Sequence, residues 1–184
     1  MVYPIVVYGD PVLKRRAKDI EKDSLNIKEL VADMYETMYA ASGVGLAAPQ
    51  IGKGIRIFVV DAEPMDEDNL KGFKKAFINP EVIEEDGDEW AFEEGCLSIP
   101  GIRADVERPE RVRIKYFDED WNEHDETYEG LAARVIQHEY DHLEGVLFTD
   151  YISPFKKRLL KSKLNNISKG QVRTDYRIKA PLAK

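Results

Sequence analysis

Apolar residues at Ile27, Leu30, Val31, Met34 and Met38 recur every three or four positions, the spacing that keeps one face of a helix apolar. With Ser24 as a cap, the pattern predicts a helix running to about Ala41, which Gly43 and Gly45 end before opening a loop. Ahead of it, residues 2–7 are rich in β-branched side chains and read as a strand, followed by a turn at Tyr8-Gly9-Asp10-Pro11. Residues 54–60 read as a buried strand, 62–69 as an acidic loop, and 75–84 as a strand kinked at Asn79-Pro80. Residues 111–117 alternate apolar and basic, as a half-exposed strand does, and should form a hairpin with 123–128 across the 118–122 turn. A helix is predicted over 131–143, stopped by Gly145. A last helix begins at Ser153 or Pro154, with Phe155, Leu159, Leu160 and Leu164 on one side and lysines on the other. The order of elements is α+β, with no internal repeat, low-complexity tract or interdomain linker.

Composition narrows the class. A chain of 184 residues with 43% hydrophobic positions is long enough to bury one substantial core. Its apolar runs fall far short of the ~20 residues that span a membrane. The start, Met1-Val2-Tyr3-Pro4-Ile5, has no basic stretch followed by an apolar core, so no secretory signal is expected. The single cysteine excludes an internal disulfide and fits a reducing cytosol, so a cytoplasmic location is expected, away from any membrane. The net charge of −8 is unevenly distributed. From Pro154 to Lys184 there are ten Lys or Arg against one acid, Asp175, a balance of +9; the rest of the chain stands at −17. A charge run is ordinarily a solvated face, but so sharp a change of sign favours attachment to something anionic, RNA above all.

The chemistry concentrates in His138-Glu139-Tyr140-Asp141-His142. On a helix, side chains four apart share a face, so His138 and His142 can grip one metal ion with Glu139 beside it to handle a proton. A catalytic metal usually takes three protein ligands. In the long metalloprotease pattern Gly145 is correctly placed, but the later histidine position holds Phe148. Asp150 and Asp175 lie downstream outside any helix-borne glutamate motif. The third ligand is then His124, which reads as a surface residue in a charged hairpin, an acid, or the lone Cys96, ordinarily an inert buried thiol.

Three motifs occur in order: Gly43-Val44-Gly45-Leu46-Ala47-Ala48-Pro49-Gln50, Glu94-Gly95-Cys96-Leu97-Ser98, and Gln137-His138-Glu139-Tyr140-Asp141-His142. Together with Tyr8-Gly9-Asp10-Pro11-Val12-Leu13 and Glu144-Gly145-Val146-Leu147-Phe148, they make the chain resemble the peptide deformylases over most of residues 3–165. That family removes the formyl group from N-formyl-methionine at the start of nascent polypeptides. The resemblance implies small mixed or antiparallel sheets packed around a central metal-binding helix, with a C-terminal helix completing a catalytic domain over 1–165 and a basic tail over 166–184. It implies a divalent metal on Cys96, His138 and His142, with Fe²⁺ expected and Zn²⁺, Ni²⁺ or Co²⁺ able to take its place; ligand spacing alone suggests zinc. Glu139 becomes general base and then acid, and the Gln50 side chain and the Leu97 N–H become donors to the developing oxyanion.

An extended substrate would add to the edge near Gly43, Val44 and Gly45 and near Glu94, Gly95, Cys96 and Leu97. Its methionine needs an apolar pocket, for which Val44, Phe92, Leu131 and Val135 are candidates; each is equally at home in an ordinary core. Arg134 would make the pocket rim either more polar or more open, and Arg103 either holds the peptide or forms a surface salt bridge. Trp90 and Trp121 read as packing or surface aromatics. The C-terminal helix and basic tail are expected to dock on the ribosome near the exit tunnel, and to be removable over 154–184 without loss of activity on small formyl-peptides. DNA is not an expected partner. Two rivals stand beside this reading: another hydrolase of the HExxH type, which lacks its downstream ligand here, and a non-catalytic metal-stabilised ribosome-binding module, which should have lost Glu139, Gln50 or Cys96.

Overall fold

The computed structural model describes residues 1–184. Its centre is a five-stranded antiparallel sheet in the order β2-β3-β4-β5-β6, formed by β2 (Gly45–Ala47), β3 (Ile57–Asp61), β4 (Lys74–Cys96), β5 (Ile99–Phe117) and β6 (Glu123–Glu129). Three helices accompany it: α1 (Ile27–Ala40), α2 (Gly130–Leu143) and α3 (Pro154–Ser168). A separate two-stranded parallel pair joins β1 (Ile5–Val6) to β7 (Ile178–Lys179), close to the two ends of the chain.

Period-two alternation on β3 explains the layering. Ile57 and Val59 pack with Ile27, Val31, Met34 and Met38 of α1 on one face of the sheet. Phe58 and Val60 pack with Ala133, Val135 and Ile136 of α2 on the other. Arg56, just before β3, is buried and donates to the carbonyl of Leu143 at 3.1 Å and to the Glu144 carboxylate at 3.0 Å, fixing the carboxyl end of α2 to the sheet. Gly145 follows with φ +76°, and a Cβ there would meet the Lys14 carbonyl at 2.6 Å, so glycine is required on both counts.

Several expectations are corrected. The cap of α1 is Asn26, whose side chain accepts from the Glu29 N–H at 3.1 Å; Ser24 lies two residues too early. Gly45 does not open a loop but begins the edge strand β2, paired Gly45 to Val60. The strand expected over 2–7 is only Ile5–Val6. At the expected kink Asn79 takes φ +48°, and its side chain bonds both backbone groups of Ile20 at 2.8 Å, shifting the β4–β5 register between Ile78 and Glu81. The strands expected over 75–84 and 111–117 are the inner ends of a much longer hairpin that reaches Cys96.

The expected apolar side of α3 is divided. Leu164 and Ile167 are buried against Val6, Leu13, Ile99 and Phe148, whereas Phe155 and Leu159 are exposed. The helix runs through position 165 to Ser168, and the chain beyond it returns to pair with β1. No helix is long and apolar enough to cross a membrane.

Candidate metal centre

Cys96 closes β4 at the tip of its hairpin with β5, where it pairs with Ile99 across the two-residue turn Leu97-Ser98. His138 and His142 stand one turn apart on the sheet-facing side of α2. The structure brings the three together: their donor atoms all lie within 4.8 Å of one another, with Cys96 Sγ 3.5 Å from His142 Nε2. A tetrahedral ion about 2.3 Å from sulfur and 2.0–2.1 Å from an imidazole nitrogen sets those donors roughly 3.6 Å apart, so the cluster fits a divalent metal. His124 is elsewhere, bonded to Asp118 at 2.8 Å in the β5–β6 turn.

Glu139 lies beside this cluster, 4.0 Å from His138 Nε2 and only 4% exposed, and its second oxygen has no protein hydrogen-bond partner. Burial pushes its carboxyl up to about 7, against the pull of His138. Gly45 is what makes room: a Cβ there would fall 2.6 Å from Glu139 Oε1. Gln50, 1% exposed, accepts from the Ala47 N–H at 2.9 Å through Oε1. That bond fixes the amide so that Nε2 points to Ser98 Oγ at 3.2 Å and Cys96 Sγ at 3.5 Å.

A buried ionic network behind the histidines was not legible in the sequence. The Glu94 side chain accepts from His138 Nδ1 at 2.8 Å, from Arg108 at 2.7 and 3.0 Å, and from Arg134 at 2.9 Å. Burial alone would raise the Glu94 carboxyl; the bonds from His138 and Arg108 outweigh it and hold the group at about 2. The carboxylate therefore requires the Nδ1–H tautomer of His138 and turns Nε2 toward Cys96, the outer-shell arrangement that orients metal-binding histidines. Arg108 also reaches Asp141 at 2.8 Å. Nothing in the spacing of Glu94 and Arg108 on strands and Arg134 on α2 announces this; charged residues in strands and helices ordinarily face water.

A cavity of about 600 Å³ opens onto the cluster, lined by Gly43, Val44, Gly45, Gln50, Phe92, Glu94, Gly95, Cys96, Leu97, Arg103, Val135, His138 and Glu139. Leu131 does not line it. Seven residues before His138 on α2, it lies about 10 Å along the helix axis from that histidine, and Met65, Ile99 and Ile102 supply apolar wall instead. Arg134 lines the cavity wall but is only 2% exposed: it stacks on Trp90 with its guanidinium carbon 4.6 Å from the ring centroid, and donates to the Trp90 and Val106 carbonyls. Trp90 is thus a packing residue for Arg134, as Trp121 is against Phe117. Arg103 pairs with Glu93 at 2.9 Å at the mouth. Residues 173–176 of the tail form a further wall, one that no motif in the chain announces.

A thiol and two imidazoles converging on an HExxH helix, beside a buried carboxylate and an edge strand, define a single-metal hydrolase. The chain belongs to the polypeptide deformylase family, whose model matches residues 2–158. It is 60% identical to the peptide deformylase of Cytophaga hutchinsonii over 184 residues, covering the whole of both chains. It is 56% identical to that of Christiangramia forsetii, covering 100% of this chain and 98% of the relative. Among solved structures, the Legionella pneumophila peptide deformylase superposes with a TM-score of 0.82 at 39% identity, covering 95% of this chain and 99% of the other. The Thermotoga maritima enzyme superposes with a TM-score of 0.76 at 47% identity, over 84% and 99% of the respective chains. Members of the family are metal-dependent hydrolases that take the formyl group off N-formyl-methionine at the start of nascent polypeptides, and this chain is one of them.

Proposed function

We propose that Cys96, His138 and His142 hold the metal and that Glu139, Gln50 and the Leu97 N–H carry out the hydrolysis. The observation that carries this reading is the convergence of the three donors within 4.8 Å beside a carboxylate buried at 4% exposure. When bound, the divalent ion supplies a Lewis acid that lowers the pKa of water towards ~7. Glu139 accepts the proton of the attacking water and delivers it to the amine that leaves when the formyl C–N bond breaks, general base first and acid second. Burial raises this carboxyl, which favours its holding a proton between the two steps. The Gln50 Nε2 and the Leu97 N–H donate to the oxygen of the formyl carbon as it gains charge.

The substrate lies as an added strand between Gly43 and Val44 with Gly45, at the start of the open-edged β2, and the outer end of β4 at Glu94 and Gly95. Val44, Phe92 and Val135 take the methionine side chain, and Arg103 stands where the peptide leaves the cavity. One thiolate with two imidazoles suits soft and borderline ions, and Fe²⁺ is the physiological ion in this reading, with Zn²⁺, Ni²⁺ or Co²⁺ able to replace it. The test is formate release from formyl-Met-Ala-Ser, measured anaerobically with Fe²⁺ for the wild type and Glu139→Ala. The variant should keep stoichiometric metal and lose about 10²–10⁴-fold in turnover; retained turnover refutes the role of Glu139.

The basic end of the chain is proposed as the ribosome-facing surface. Helix α3 exposes Phe155 and Leu159 among Lys156, Arg158, Lys161 and Lys163. Binding through these charges should weaken steeply with salt as counterions are displaced. Lys156→Glu with Arg158→Glu should abolish co-sedimentation with ribosomes and leave small-peptide turnover unchanged; undiminished co-sedimentation would count against this surface.

A further inference from the structure

Residues 173–176 reach the cavity only because the chain turns back after α3 and pairs β7 with β1. Within this returning segment the Tyr176 hydroxyl donates to the Leu97 carbonyl at 2.7 Å. The next carbonyl, that of Ser98, accepts from the Tyr8 N–H at 2.8 Å. Both donors are carried by the same small sheet: Tyr8 lies two residues past β1, Tyr176 two residues before β7, and the Ile5 N–H bonds the Arg177 carbonyl at 2.9 Å between them. The Leu97-Ser98 turn is therefore held by consecutive carbonyls from outside its own hairpin.

We infer that Tyr176 is a positioning residue for deformylation, clamping the Leu97 carbonyl so that the Leu97 N–H stays aimed at the reacting oxygen. The inference rests on the proposed role of that N–H as an oxyanion donor. The Leu97 N–H is held by two restraints. It belongs to the Cys96–Leu97 peptide, which is fixed on one side by Cys96 in the donor cluster and on the other by the Leu97 carbonyl. Removing the second restraint frees the torsions about the Leu97 Cα, and preorganised donors are effective only while they stay aimed. Gln50 supplies the other donor and is anchored separately, through the bond from the Ala47 N–H to its Oε1, so it does not restrain the Leu97 N–H. Tyr176 lies beyond residue 158, where the match to the family model ends.

The experiment compares Tyr176→Phe with wild type and with Tyr3→Phe, a tyrosine packed in the α1 core. Steady-state kinetics on formyl-Met-Ala-Ser, metal content, melting temperature and deuterium exchange at the backbone amides of residues 96–98 are measured on each. Tyr176→Phe keeps the ring and removes one hydroxyl, so it should fold and bind metal like wild type. The expected result is kcat lowered about tenfold, less than the ~10²–10³ lost on deleting a donor, with KM nearly unchanged, faster exchange at 96–98, and no effect from Tyr3→Phe. Unchanged exchange and unchanged kcat overturn the clamp and leave the role of Leu97 standing. Faster exchange with unchanged kcat overturns the inference through its premise, since the turn is then held but its N–H is not used. A fall in metal content or melting temperature that accounts for the whole loss of kcat also overturns it, reducing Tyr176 to a structural residue.

Discussion

Glu139 shows how a single side chain is set by its neighbours. Its carboxyl is raised by burial, moderated by His138, and accommodated only because position 45 has no Cβ. Gly45 is not in the left-handed region, so its role is close approach and not backbone freedom. Alanine there would place a methyl carbon 2.6–2.8 Å from three atoms of Glu139 and push the carboxylate away from the donor cluster. Gly45→Ala should therefore lower kcat by about 10²-fold, the scale of a misplaced catalytic group, while the fold loses about 1–3 kcal/mol to overpacking. Formate release and urea unfolding measure the two separately; a variant as active as wild type would show that Glu139 tolerates displacement. Glu94 makes the complementary point. Deeply buried carboxylates are costly alone, and this one is stable because two arginines and a histidine surround it.

Elements with a single buried face were legible in the sequence. Helices α1 and α2 and strand β3 follow their periods closely because one stripe, or alternate residues, must reach one of two defined cores. The outer half of the β4–β5 hairpin was not legible. Residues 83–89 are largely exposed, so no alternation marks them, and their pairing rests on backbone bonds and on ion pairs such as Arg111 with Asp86 at 2.8 Å. His138, Glu139 and His142 stand out through their spacing, whereas the third position stays open among His124, an acid and Cys96 until the resemblance of three motifs to the deformylases points to Cys96; the contacts of Glu94, Arg108 and Tyr176 were not legible, since they depend on register and on the return of the tail. The short helical turn after α2 offers a test at this scale. Asp150 accepts from the Leu147 N–H at 2.9 Å and pairs with Lys14 at 2.6 Å and Lys157 at 3.6 Å. Burial opposes its ionisation, but the bonds from Lys14 and Leu147 prevail and hold its carboxyl below the ordinary value. A depressed folded-state pKa gives stability that is present above the unfolded value near 4 and lost as pH falls through the folded value. Asp150→Asn should cost no more than about 1 kcal/mol at neutral pH, because the pairs are partly exposed, and should flatten the decline in stability below about pH 4. An unchanged acid limb in denaturant titrations would remove Asp150 from the account.

At the scale of the molecule, the two ends of the chain form one structure. β1 contributes Val6 to a core that also takes Leu164 and Ile167 from α3 and Ile99, Ile102 and Val106 from β5, with Val172, Ile178 and Ala180 of the tail packed against it. Removing 154–184 would thus strip a buried face, and activity lost in that deletion says nothing about ribosome binding. A narrower truncation after Gly170 separates the contributions. It keeps α3 and its buried Leu164 and Ile167, and removes β7, Tyr176 and the three packed tail residues. Partial burial of three small or medium apolar side chains is worth about 2–4 kcal/mol at ~25 cal/mol per Å², and a chain of this size shifts its melting temperature by roughly 2–4 °C per kcal/mol. The truncated protein should melt roughly 5–15 °C lower yet remain cooperative, since the sheet, α1 and α2 retain their cores. Its kcat at a temperature where it is fully folded should fall with that of Tyr176→Phe, while KM for a formylated tripeptide rises further if residues 173–175 also bear on the substrate. A truncated protein that melts with wild type would place the tail outside the cooperative unit, and the pairing of β1 with β7 would then be a surface association that the fold does not need.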